Sequence, residues 1–270
     1  MKIARVEHRG RIFHGVIDGE VIRALRRDPF SGEGGYRDPE ELVDEGSCVN
    51  RAEVRLLPPC VPGKYIGIGV NYRETARMMG MAIPDEPLVF VRPTSCIVAT
   101  GEDIVLPPGA EVVSEGELAV VIGRRGRHVD EEEAGELIFG YTLTNDLMSV
   151  TRYHLDGGNP TLAKGYDSFA PLGPHIVTDR LEEGCELATW LNGEQVQGGH
   201  SSDMIFSIRR CISHVSRFMT LMPGDIIATG CPPVPVRVSA GDRIEVRADG
   251  LGPLVNRVVA APDGIDETRI

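Results

Sequence analysis

Short stretches in which apolar and polar residues alternate recur along this chain, and few apolar runs have helical spacing. Met1–His8, Arg11–Ile17 and Val21–Leu25 read as strands, joined by turns at Arg9-Gly10 and Asp18-Gly19. An irregular polar stretch follows from Asp28 to Asp38, then a short helix is expected near Pro39–Val43. Further strands are expected from Lys64 into a loop at Asn71-Tyr72, at Leu88–Val91, over Val112–Gly123 and at Gly140–Asp146. Asn192-Gly193 predicts a tight hairpin, because both residues tolerate positive φ. Ile226–Thr229, Arg243–Arg247 and Leu254–Val259 complete the strands. Helical composition marks Arg73–Met81 and Asp130–Phe139. The clearest helix is Met204–Met219, where Ile205, Ile208, Ile212, Val215 and Met219 recur at spacings of three and four. Its methionines and Phe218 are expected in the core. The pattern is α+β and mainly β, without the alternation of a βαβ fold.

The proline-rich crossing Leu57-Pro58-Pro59-Cys60-Val61-Pro62-Gly63 is the best boundary. It divides a small N-terminal α/β unit, residues 1–57, from a larger unit, residues 58–270. Within the larger unit, the expected strand Val112–Gly123 places Glu115, Glu117 and Ala119 on one face and Leu118, Val120 and Ile122 on the other. Two carboxylates on one face repel each other and resist burial, so the stretch reads either as a solvated strand edge or as a cation site. Asp146, at the end of a later strand, would complete a set of three carboxylates if it converges on them. Such a hard-oxygen set suits Mg²⁺, Mn²⁺ or Ca²⁺ better than zinc. An Asn-Asp pair at a strand end also serves ordinary turn chemistry.

Composition narrows the field. Apolar residues make up 41% and charged residues 25% of the 270, values ordinary for a globular protein. The formal charge of −12 argues against nucleic acid or an anionic membrane as partner. A small anionic substrate stays open, since a local cation overrides the global field. Lysine is scarce, with Lys2, Lys64 and Lys164 against 25 arginines, so a retained lysine draws notice. The six cysteines are scattered without a C-x-x-C pair, which fits reduced thiols. No apolar run approaches about 18 residues, and Met1-Lys2-Ile3-Ala4-Arg5 lacks a signal peptide's apolar region. A cytoplasmic protein is expected.

Several motifs then occur in a fixed order. They are Gly67-Ile68-Gly69-Val70-Asn71-Tyr72, Arg92-Pro93-Thr94-Ser95, Ser114-Glu115-Gly116-Glu117-Leu118, Thr144-Asn145-Asp146 and Ala163-Lys164-Gly165-Tyr166-Asp167. Ser202-Asp203-Met204, Pro223-Gly224-Asp225 with Thr229-Gly230, and Gly250-Leu251-Gly252 close the series. Over roughly residues 55 to 258 the chain resembles the fumarylacetoacetate hydrolase family. The resemblance implies a rolled, mixed β-sheet catalytic domain, a homodimer, and Mg²⁺ or Mn²⁺ held by Glu115, Glu117 and Asp146. It implies Lys164 as a catalytic group, and Tyr72, Arg92, Thr229 and Gly230 as substrate-binding positions. It also implies an acylpyruvate or related keto or enol dicarboxylate as substrate, cleaved, decarboxylated or isomerised through an enolate that the cation and Lys164 stabilise.

The chain departs from the family where hydrolases activate water. After Asn-Tyr they commonly carry a histidine and, three residues later, a glutamate, whereas Thr75 and Met78 stand here. The path from Asp146 to Lys164 is short, Asp146-Leu147-Met148-Ser149-Val150 replaces Asp-x-Ser-x-Arg, and Cys231-Pro232-Pro233-Val234 replaces Thr-Pro-x-Gly. Either another base serves, with Glu74, His154 and His200 as candidates, or the reaction needs no activated water. A pseudoenzyme that binds such a ligand without turnover is the competing reading.

Overall fold

The computed structural model describes residues 1–32, 39–179, 181, 184–233 and 235–262. The irregular segment expected after Asp28 therefore lies partly outside the described residues. Strands β1 (Lys2–His8), β2 (Arg11–Asp18), β3 (Val21–Leu25) and β4 (Val43–Asn50) form an antiparallel meander, and β5 (Arg55–Leu57) returns along β1. Arg9-Gly10, with φ of 51° and 80°, makes the first tight turn, in which Gly10 takes the left-handed conformation freely and Arg9 takes it against its usual preference.

The larger unit adds β6 (Tyr65–Gly69), α1 (Arg73–Met78), β7 (Leu88–Arg92), β8 (Ile97–Val98), β9 (Asp103–Leu106), β10 (Val112–Ser114) and β11 (Gly116–Ile122). It continues through β12 (Ile138–Asn145), β13 (Met148–Ser149), α2 (Val150–Leu155), α3 (Pro160–Ala163), β14 (Ala170–Val177), β15 (Glu186–Leu191) and β16 (Glu194–His200). Helix α4 (Ile208–Phe218), β17 (Ile226–Ala228), β18 (Val236–Val238), β19 (Arg243–Ala248) and β20 (Leu254–Ala260) end it.

Among the described residues, the main sheet runs β4-β3-β2-β1-β14-β12-β11-β17-β6-β7. The N-terminal meander thus extends the main sheet, through the antiparallel β1–β14 pair, rather than building a sheet of its own. A second sheet, β16-β15-β19-β20-β9, packs over one face. Leu118, Val120 and Ile122 point there and meet Leu187, Val246, Ile212 and Val215, while Ala119 and Val121 point to the opposite core with Ile3, Tyr65 and Ile176. Strand β11 is therefore buried on both faces, and any charge it carries is placed in the interior. Among the described residues, no helix is long and apolar enough to cross a membrane.

Three local expectations need correction. The stretch 112–123 is two strands, because Glu115 breaks the ladder: β10 pairs with β13 and β18 in a small third sheet while β11 joins the main one. Over 130–139 only a 3₁₀ turn forms, Ala134–Leu137, since strand β12 captures the chain from Ile138. Helix α4 begins at Ile208, where the Ser207 side chain accepts from the Arg210 N–H and caps it, and Phe218 is 66% exposed, packing edge-on against His214.

Candidate active site

The break at Glu115 creates the site. The Glu115 carbonyl accepts the Asp146 N–H at 2.8 Å, and Ser114 Oγ donates to Asn145 Oδ1 at 2.7 Å, so the ends of β10 and β12 are stitched together. Glu117 follows on β11, opposite Thr144. Lys164 caps α3, a single turn started by Pro160 behind Asn159, and its backbone N–H donates to the Pro160 carbonyl at 2.9 Å. That turn carries its ammonium into the gap, where Nζ donates to Glu115 Oε2 at 2.7 Å and to Asp146 Oδ2 at 2.6 Å. The other Asp146 oxygen accepts from Arg92, whose guanidinium also donates to the Lys164 carbonyl and, at 2.8 Å, to the Phe169 carbonyl.

Glycine and aromatic packing complete this wall. Gly67 on β6 lies opposite Phe90 on β7, and any Cβ there would run into the Phe90 ring. The ring lies across the bare strand and sits 5.0 Å from Lys164 Nζ. Tyr65 stacks under Arg92 and shares a 2.8 Å hydrogen bond with Thr144 Oγ1.

Burial and charge set the protonation states. Glu117 is 3% exposed, and burial, then Asp146 and Glu115, push its carboxyl well above the usual range against Lys164 and the Gly230 N–H. Burial opposes the charge on Lys164, but Asp146 and Glu115 outweigh it and hold the ammonium above its ordinary value. Were all three carboxyls ionised they would outnumber the buried cations Lys164 and Arg92 by one, and it is Glu117 that answers this imbalance by holding its proton more tightly. A buried carboxylate whose compensation is incomplete fits a divalent cation, and the hard oxygens of Glu115, Glu117 and Asp146 fit Mg²⁺ or Mn²⁺.

The loop after β17 forms the roof. Thr229 Oγ1 and N–H both donate to the Leu118 carbonyl, at 2.8 and 3.1 Å, and Gly230 N–H donates to Glu117 Oε2 at 2.8 Å. Gly230 has φ +93°, and a Cβ there would lie 2.8 Å from Asn71 Cβ. Asn71 is a buried residue that sequence reasoning left without a role. Its amide donates to the Thr229 and Phe206 carbonyls and its oxygen accepts from the Phe206 N–H, joining β6 to the roof. The Asn at the end of Gly-x-Gly-x-Asn was the available signal. Tyr72, next in the chain, is 1% exposed and its hydroxyl has no hydrogen-bond partner among the described residues.

The remaining candidates lie apart. Glu74 is exposed on α1 and bonds Arg77 at 2.7 Å, which lowers its carboxyl, so the structure does not bring it to the acidic wall. Thr75 is buried beneath the roof and its hydroxyl donates to the Cys231 carbonyl at 3.4 Å, while Met78 is exposed. His154 is exposed on α2, and His200 Nδ1 binds Ser202 at 2.7 Å. Cys231 is the addition that sequence reasoning missed as a site residue: its sulfur and oxygens of Glu115 and Glu117 all lie within 4.8 Å of one another. Burial, then those carboxylates, push its thiol well up.

Residues 64–259 match the family model for the fumarylacetoacetate (FAA) hydrolase C-terminal domain, and residues 1–59 match the one described as Rv2993c-like, N-terminal. The crystal structure of 5-carboxymethyl-2-hydroxymuconate delta-isomerase from Mycobacterium smegmatis superposes with a TM-score of 0.87 and 34% identity, covering 97% of this chain and all of that one. The 2-hydroxyhepta-2,4-diene-1,7-dioate isomerase from Mycobacterium marinum gives 0.85 and 33% over the same shares. Human mitochondrial oxaloacetate tautomerase FAHD2A is 35% identical over 222 residues, 77% of this chain and 71% of that protein.

Proposed function

This chain belongs to the fumarylacetoacetate hydrolase family, and from that premise we propose that it is a divalent-cation-dependent tautomerase or double-bond isomerase of a small keto or enol dicarboxylate. The observation that carries this reading is the contrast between the retained acidic wall and helix α1. On α1 the positions of the family hydrolases' water-activating pair hold a threonine bound to a backbone carbonyl and an exposed methionine. Neither side chain takes a proton from water at neutral pH. Moving a proton between carbon and oxygen of a keto acid needs no such water, and the proteins this chain resembles include a tautomerase and two isomerases.

Glu115, Glu117 and Asp146 would hold the Mg²⁺ or Mn²⁺, which when bound supplies Lewis acidity toward the keto oxygen. With the ion bound, the three ionised carboxylates would be outweighed by the ion, Lys164 and Arg92, and an anionic substrate would then be attracted. Lys164 stays protonated between Glu115 and Asp146 and lends its ammonium to the oxygen that gains charge as the enolate forms. Arg92 fixes Asp146, and Gly230 N–H fixes Glu117. The buried Tyr72 hydroxyl is free to donate to a substrate carboxylate.

A panel of oxaloacetate, acylpyruvates and hydroxymuconate-type diacids, each with and without a chelator, tests the proposal. Chelator-sensitive tautomerisation or isomerisation without C–C cleavage is expected. Turnover of no member by the Mg²⁺- or Mn²⁺-loaded protein would leave ligand binding alone, and full activity in Glu115→Gln would remove the cation assignment.

A further inference from the structure

We propose that Cys231 is a cation ligand, so that Glu115, Glu117 and the Cys231 sulfur form a mixed oxygen–sulfur site that takes thiophilic divalent cations such as Co²⁺, Zn²⁺ and Cd²⁺. The inference rests on the reading above that the acidic wall binds a cation. Among the described residues, the donor atoms of these three side chains are grouped within 4.8 Å. Each Asp146 oxygen accepts from Arg92 or Lys164 and keeps one lone-pair site for an ion, so the sulfur adds a donor to the carboxylates and does not displace Asp146. Ligands about 2.0–2.3 Å from one ion lie roughly 3–4 Å apart, so small side-chain rotations close the set.

The backbone holds the thiol in this position. The positive φ of Gly230 turns the chain directly after the N–H that binds Glu117, and Cys231 follows at the turn's exit. Its carbonyl accepts from Thr75, and the next residue, Pro232, lies against Gly199 while its carbonyl accepts from Gln197 Nε2 at 2.9 Å. A second, independent observation points into the same space. The Tyr72 hydroxyl is buried without a partner among the described residues, next in the chain to Asn71, whose amide holds the Thr229 carbonyl of the same roof. A hydroxyl left so in the interior calls for a ligand atom.

A thiolate among oxygen donors moves a site's preference from magnesium and manganese toward softer ions. On binding, the S–H bond breaks, its electron pair stays on sulfur and bonds the cation, and the proton leaves to solvent. No oxidant or reductant is needed.

Titrating the reduced, metal-free full chain with Co²⁺ tests the assignment by absorption. A thiolate-to-cobalt charge-transfer band in the near ultraviolet is expected in the wild type. It should vanish in Cys231→Ser and Cys231→Thr while Co²⁺ stays bound, and the preference for Zn²⁺ over Mg²⁺ should fall by about tenfold or more. Stoichiometric Co²⁺ in the wild type without that band, or a band that survives both substitutions, would overturn ligation by Cys231 and leave the acidic wall's role intact. Failure of the wild type to bind Co²⁺, Mn²⁺ or Mg²⁺ would overturn both.

Discussion

Asp146 and Glu74 are both carboxylates paired with an arginine, and they belong to two regions built on different physical terms. Asp146 and Arg92 are 54 positions apart in the chain, and each side chain is 1% exposed. Glu74 and Arg77 are one helical turn apart, with side chains 47% and 72% exposed. Taking one partner from a buried pair strands the other in the interior, at a cost of about 3–5 kcal/mol. An exposed pair contributes about 0–1 kcal/mol and is screened by salt. The two sides of the candidate site thus answer differently to change. The wall of Asp146, Lys164 and Arg92 is fixed by many mutually dependent contacts, whereas the Glu74–Arg77 pair on α1 is exposed and holds little else in place.

Substitutions can break the comparison. Lys164→Met removes the cation shared by Glu115 and Asp146 and should lower kcat by about a thousandfold, read by steady-state kinetics on the substrate the panel selects. Arg92→Met leaves one Asp146 oxygen and two backbone carbonyls without their donor and should cost about 3–5 kcal/mol of stability, read as a lower urea midpoint at unchanged m. Gly230→Ala forces a Cβ against Asn71 and moves the N–H that holds Glu117. It should cost about 1–3 kcal/mol and weaken Mn²⁺ binding by about tenfold in a calorimetric titration. At the other extreme, Glu74→Gln should change stability by less than about 0.5 kcal/mol and leave kcat/KM almost unaltered. A large loss of activity in Glu74→Gln would erase the distinction between the two sides and restore Glu74 as the base.

Much of this was legible in the sequence, for identifiable reasons. Turn residues gave the hairpins: Gly10, Asn192 and Gly193 adopt the positive φ they tolerate, and Arg9 is carried into it by the turn. Period-two alternation marked β11, and with it the paired glutamates. What alternation could not show was the break at Glu115, which depends on Asp146 taking the Glu115 carbonyl from 31 positions away. Helix α4 was overextended because apolar spacing continues through Met204 and Ile205, whereas Ser207 supplies the cap that starts the helix later. The acids and Lys164 were visible as residue types in order. Arg92's bond to Asp146, the threefold anchoring by Asn71 and the approach of the Cys231 sulfur were not, since each joins segments distant in the chain. That Thr75 and Met78 stand where the family resemblance places a histidine and a glutamate came from the motif order alone, and the structure adds that the threonine is occupied by a backbone contact.

Proton NMR in D₂O of the Mg²⁺-loaded protein, with oxaloacetate in one arm and an acylpyruvate in another, separates proton transfer from water attack most directly. Accelerated keto–enol interconversion and deuterium uptake at the carbon beside the keto group, abolished by chelator and without C–C cleavage products, is the predicted result. Metal-dependent release of cleaved acids at a rate comparable with that interconversion would show that water is activated after all, and would contradict it.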